Sequence, residues 1–256
     1  MIPIKDNIPT DRFPVVTVLL ILANVIAYVA SVAHGGSLIS GPDTHEVLRF
    51  GAIPYALTHP GEQCGFVRGM TNEFGCTHHP ALVSGLPWWE TVFTSMFVHG
   101  SILHIAGNLL FLWIFGNNVE DAMGPLRFIA FYLLGGVAAL ALQTAIDPNS
   151  TAPTIGASGA IAAVLGGYIV LYPRARVLSL VFVLLFFTVI ELPALVMLGI
   201  WFVQQAVFGA AGLTSTSTGG VAYFAHVGGF VFGLLTIRWL ARRRKATPPT
   251  RVMAVS

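Results

Sequence analysis

Six segments of this chain are apolar over close to the length needed to cross about 30 Å of hydrocarbon, and that requirement leaves few folds open. They lie near Phe13–Val32, Met96–Phe115, Arg127–Ala145, Ser158–Tyr172, Leu192–Phe208 and Gly220–Ala241. Lipid offers no partner for backbone N–H and C=O groups, so runs of this length cross it as helices, whose hydrogen bonds close within the segment. Composition agrees. With 55% hydrophobic residues, 9% charged and a mean hydropathy of +0.77, the chain carries more apolar surface than a soluble domain of 256 residues can hide. The expectation is an all-α integral membrane bundle of six transmembrane helices. A further apolar stretch, Val177–Ile190, is too short to span and is followed by Glu191 and Pro193, so it is expected at the interface or packed re-entrantly.

An even number of spans puts both termini on one side, and the cations say which. Lys5, Arg12, Arg127, Arg174, Arg176, Arg238, Arg242, Arg243, Arg244, Lys245 and Arg251 fall on one face, and only Arg49 and Arg68 on the other, 11 against 2 of the 13. Cationic loops stay inside, so both termini are expected to be cytoplasmic in a multi-pass protein of the cell membrane. The reading divides the chain into a cytoplasmic segment 1–12, a membrane domain 13–241 and a basic cytoplasmic tail 242–256. The Arg242–Lys245 cluster reads as a topology anchor drawn to anionic lipid, with no nucleic-acid partner expected. The first span starts too far in and is too long for a cleavable signal peptide, so it is expected to remain as the first helix.

Between the first two spans lies a loop, 33–94, expected on the extracytoplasmic side. It holds both cysteines, Cys64 and Cys76. A disulfide closing a loop of roughly 13 residues is the simplest reading in an oxidising compartment, worth ~3 kcal/mol by chain entropy. Free thiols, and a metal site with neighbouring His78 and His79, are the alternatives; the spacing is not that of a usual zinc site.

Polar groups at membrane depth are costly and normally face a wet cavity or a partner. Counting about 1.5 Å per helical residue, His226 lies ~9 Å below the outer edge of its span, and Ser158, which opens an unusually short span, is sunk to a similar level. His104 and Asn108, four apart and so on one helical face, approach that depth from the second span, ~12–18 Å from Met96. Three helices aim polar groups at one place. A serine hydroxyl needs a base to become a nucleophile, and His226 is the base at that depth. No Asp or Glu is available there to orient the imidazole, so the pair reads as a dyad. The Ser158 N–H stands among the free donors of a helix N-terminus, and His104 and Asn108 can add side-chain donors for an oxyanion. Gly229 and Gly233 below His226, with Gly159, Ala163 and Gly167 below Ser158, make faces that let the two helices approach closely.

With these pieces assembled, Gly156-Ala157-Ser158-Gly159, His104-x-x-x-Asn108 with His99 upstream, Glu120-x-x-x-Gly124 and Ala225-His226-x-x-Gly229-x-x-x-Gly233, the chain resembles a rhomboid intramembrane serine protease over roughly Thr91–Leu240. The resemblance implies a six-helix rhomboid fold with a long first extracytoplasmic loop. It implies Ser158 as nucleophile, His226 as base, and His104, Asn108 and the Ser158 amide around the oxyanion. It also implies single-pass transmembrane proteins as substrates, cut near the outer end of their helix, with no cofactor and no metal. Two features depart from the family. Trp88-Trp89-Glu90 stands where some members carry a Trp-Arg pair, and Ala162 stands where some stack an aromatic ring on the imidazole, which leaves the orientation of His226 unsupported.

The Gly209–Gly219 segment, small and uncharged, is expected as a cap over the site, and the fifth span with Trp201, Phe202, Gln204 and Gln205 is similar in position to the family's lateral gate; a loose connector and ordinary lipid-facing aromatics are the alternative. His99 is expected to be structural, and Glu120 and Asp121 to cap and to pair with Arg127 rather than to bind a cation. Two other functions compete: a catalytically inactive relative acting as a chaperone or trafficking factor, and a transporter or channel, which internal repeats would favour and which are not seen.

Overall fold

The structure, a computed structural model, describes residues 1–67, 73–79, 83–183, 186–213 and 221–242. Six apolar helices form the body: α1 (Val15–His34), α2 (Ile102–Met123), α3 (Pro125–Ile146), α4 (Ser158–Leu171), α5 (Ala194–Gly212) and α6 (Tyr223–Leu240). Five are long and apolar enough to cross a membrane, and α4, at 14 residues, is shorter. The short one is central: 12 of its residues are buried, from Gly159 to Leu171. A helix wrapped by protein has no need to match the hydrocarbon thickness, because its neighbours face the lipid.

Helix α4 sits against α3 and α6, and glycine decides how near α6 comes. A Cβ at Gly229 would strike the carbonyl oxygen of Gly159, one at Gly233 that of Ala163, and one at Gly166 that of Phe230. Backbones therefore meet along the whole crossing, as small residues in membrane helices allow.

Helix α2 is displaced from its expected position. Met96 lies in a 3₁₀ turn, Ser95–Phe97, and the helix starts only at Ile102, where Ser101 Oγ accepts from the His104 N–H at 3.2 Å. A serine cap satisfies a first-turn donor and fixes the start. His104 and Asn108 thus stand ~3 and ~9 Å into the helix, not ~12–18 Å. The other end runs past Glu120 and Asp121 to Met123 and stops at Gly124, whose φ of +83° is one that glycine adopts without strain.

Glu120 accepts from the Val16 and Thr17 amides at 2.9 and 2.7 Å and from Thr17 Oγ1 at 2.8 Å, closing the N-terminus of α1. Asp121 accepts from the Asp11 amide, and Arg127 Nη1 donates at 3.0 Å to the carbonyl of Leu240, at the end of α6. The capping expectation holds, and the Arg127 contact seen here is to a helix end.

At the same end as Glu120 the fold departs from helix. The stretch expected at the interface is an antiparallel hairpin, Arg176–Val183 with Phe186–Pro193, and the N-terminal strand Ile2–Asp6 pairs on its other side, Ile2 opposite Leu180. Val177 and Ser179 are buried against the bundle, while Phe186 and Phe187 are 79% and 73% exposed. Asp6, at the end of its strand, reaches between α2 and α4, where Asn118 Nδ2 and the Tyr168 hydroxyl donate to it at 2.7 and 2.5 Å. Burial pushes its carboxyl up from 3.8 to about 6, against the opposing pull of the Tyr168 hydrogen bond.

The opposite end carries the long loop, built from short helices (Thr44–Phe50, Pro54–Thr58 and Trp88–Thr94) and a three-stranded sheet with Gln63–Val67 at its centre. Cys64 and Cys76 face each other across that sheet and form a disulfide, so neither is a thiol or a metal ligand; His78 Nε2 lies 3.2 Å from Glu62. A bridge between Ala52 and Thr154 ties this loop to the segment that leads into α4.

Candidate active site

Ser158 is the first residue of α4, and the strand-like approach to it turns at Gly156, φ +111°. A side chain there would be strained, and its Cβ would lie 2.7 Å from His104 Nε2, so glycine is required on both counts. The turn is held from below: the Gly156 amide donates to the Ser95 carbonyl at 2.8 Å, and the Ala157 amide points at His99 Nε2 at 3.5 Å. His99 Nδ1 lies 3.2 Å from the Phe97 carbonyl and donates to it, which leaves Nε2 free to accept. His99 is fully buried and pins the loop, as expected of a structural residue.

His226 stands one turn into α6, facing α4 across the glycine contact. Its Nε2 lies 2.7 Å from Ser158 Oγ. Its Nδ1 lies 2.7 Å from Gln205 Oε1 on α5, and the Trp201 ring, one helical turn earlier on α5, packs against the imidazole with centroids 5.8 Å apart. A carbonyl oxygen can only accept, so Nδ1 carries the hydrogen and the neutral ring turns a bare Nε2 toward the hydroxyl. The expectation that the imidazole lacks support is therefore corrected: Gln205 and Trp201 hold it from α5, in place of a ring on α4. Ala162, fully buried, fills that place on α4.

His104 and Asn108 approach from α2. His104 Nδ1 accepts weakly from the Gly100 amide at 3.4 Å, which puts its hydrogen on Nε2, beside Gly156. Asn108 is buried, yet its Nδ2 has no hydrogen-bond partner among the described residues. An unpaired buried amide costs about 1–3 kcal/mol, so its presence calls for a use. All four residues predicted for the site line one cavity of about 600 Å³, walled by Leu103, Phe111, Leu165 and Trp201 on its sides and by Val221 and Ala222 above. Most of its lining comes from α2, α4 and the segments leading into them, and α5 contributes Trp201. Gly209–Gly212, expected in the cap, continues α5 as helix and Leu213 closes it; positions 214–219 of that segment lie outside the described residues.

The chemistry open to this arrangement is narrow. A hydroxyl hydrogen-bonded to a bare imidazole nitrogen is a nucleophile with its base in place. A free amide donor on the opposite wall, together with the N-terminus of α4, can stabilise negative charge developing between them. The sequence set Gln205, beside Gln204, on the entry side of the fifth span and missed its role at the imidazole; its place two turns before Gly212 says nothing of the α6 residue it meets.

A half-buried serine and a buried histidine meeting inside a membrane bundle define a small class of proteins. The chain belongs to the rhomboid family: residues 87–243 match the Rhomboid domain. Among curated proteins it is similar to rhomboid protein 1, mitochondrial, of Saccharomyces cerevisiae, 30% identical over 152 residues, which is 57% of this chain and 40% of that protein. It is also similar to rhomboid-like protein 11, chloroplastic, of Arabidopsis thaliana, 29% identical over 167 residues, 62% of this chain and 55% of that one. Presenilin-associated rhomboid-like protein, mitochondrial, of Mus musculus is 33% identical over 94 residues, 36% of this chain and 25% of its own length. The chain thus matches only part of each of these relatives.

Proposed function

We propose that this chain is an intramembrane serine endopeptidase that cuts single-pass transmembrane proteins. The observation that carries the reading is the 2.7 Å contact of Ser158 Oγ with His226 Nε2 in a cavity that also holds the unpaired amide of Asn108. In the reaction, Nε2 takes the hydroxyl proton as Oγ bonds to the scissile carbonyl carbon. The oxygen that becomes negative is met by Asn108, His104 and the Ser158 N–H. The imidazolium then gives its proton to the departing amine as the C–N bond breaks, leaving an acyl-serine, and a water repeats the sequence to release the acid.

A peptide bond inside a helix has its carbonyl hydrogen-bonded, so the substrate must unwind before attack. Gly, Pro or Ser near the cut is therefore favoured. The 11 to 2 distribution of cations supports a protein of the cell membrane with both termini cytoplasmic and the long loop outside. The reaction as drawn needs no cofactor and no metal.

The test is cleavage of a purified single-pass reporter in proteoliposomes, with the cut mapped by mass spectrometry. A cut near the outer end of the helix, lost in Ser158→Ala, is expected, and an uninterrupted poly-Leu helix should resist. Binding of the reporter without cleavage would favour the chaperone or trafficking alternative, and solute flux through the protein a transporter or channel.

A further inference from the structure

We infer that Gln205 is the positioning residue of this site, the third member of a Ser158–His226–Gln205 relay that fixes the tautomer of the imidazole. The inference rests on the protease reading above and deepens it. Gln205 is 7% exposed on an α5 whose neighbouring Gln204 points outward, so it is the one of the pair turned into the protein. Its Oε1 meets His226 Nδ1 at 2.7 Å on the side of the ring opposite Ser158. That contact does two things. It places the one N–H hydrogen of the neutral ring on Nδ1, so that Nε2 is bare when Ser158 must lose its proton, and it stops the ring from rotating about its χ2 away from Oγ. A carbonyl oxygen at this place accepts from Nδ1–H in both protonation states of the ring.

The position of Gln205 adds a consequence. It shares α5 with Trp201, which walls the cavity and packs on the same imidazole. Any displacement of α5 would therefore take the acceptor and the ring wall away from His226 together.

The experiment uses the full chain in detergent with the reporter above, comparing wild type, Gln205→Leu and Gln205→Glu. Leu keeps the volume and removes the acceptor, whereas Glu keeps an acceptor. In Gln205→Leu kcat is expected to fall about 10- to 100-fold with KM within about twofold, the scale of one lost hydrogen bond to the base. Fluorophosphonate labelling of Ser158, which needs no helix to enter, should slow by the same factor, and Gln205→Glu should recover most of both rates. Wild-type kcat in Gln205→Leu, a change confined to KM, or equal loss in both variants would overturn the relay. These outcomes are distinct from failure of the protease reading itself, in which wild type neither cuts nor labels.

Discussion

Gly159 and Gly229 touch backbone to backbone where α4 crosses α6, one turn from the point at which Ser158 Oγ meets His226 Nε2 at 2.7 Å. The helix contact and the reacting contact are parts of one geometry. A methyl at residue 229 has nowhere to go but into the Gly159 carbonyl, so the helices must separate. Gly229→Ala is expected to lower stability by about 1–3 kcal/mol, the usual cost of overpacking, and to abolish cleavage even where the protein still folds. Thermal unfolding in detergent and the reporter assay check the two halves.

Asn108 poses the opposite balance. Its buried Nδ2 lacks a partner among the described residues, so removing it relieves a desolvation cost while taking a donor from the oxyanion. Asn108→Ala is expected to lower kcat about 10²- to 10³-fold with little change in KM, and to leave the melting temperature level or raised. A fall in stability with unchanged kcat would assign Asn108 to packing.

Asp6 gives a prediction in pH. Its carboxyl ionises at about 6 in the folded chain against 3.8 for the free side chain, because burial disfavours the charge. With the folded value raised, the native state binds the extra proton: stability from this group is greatest below about pH 4, falls as pH rises through about 6, and is level above it, a difference of about 3 kcal/mol. Melting temperature in detergent should therefore decline between pH 4 and 6.5 in wild type and lose that part of its slope in Asp6→Asn. An identical slope in the variant would mean that the group does not titrate in that window.

The site was legible in the sequence because polar residues in lipid are costly, so Ser158, His226, His104 and Asn108 stood out against apolar surroundings, and glycine spacing showed which helices meet. The helices were legible from their length, less so their ends: α2 begins six residues later than the apolar run because Ser101 caps it. The hairpin was not legible. An apolar run of that length reads equally as strand or helix, and its pairing with Ile2–Asp6 joins residues far apart in the chain. The contact of Gln205 with His226 escaped for a related reason, although the residue itself was noted on the entry side. A neutral side chain on a membrane helix declares no chemistry until the crossing of α5 and α6 puts its carbonyl on an imidazole.

The central claim is that Ser158 is a nucleophile activated by His226. Its most direct measurement is covalent labelling of the purified chain by a fluorophosphonate, with the modified residue located by peptide mass spectrometry. The account predicts one label, on Ser158, absent in Ser158→Ala and slowed at least about 10²-fold in His226→Ala. Labelling that survives Ser158→Ala, or proceeds at the wild-type rate without His226, would contradict it.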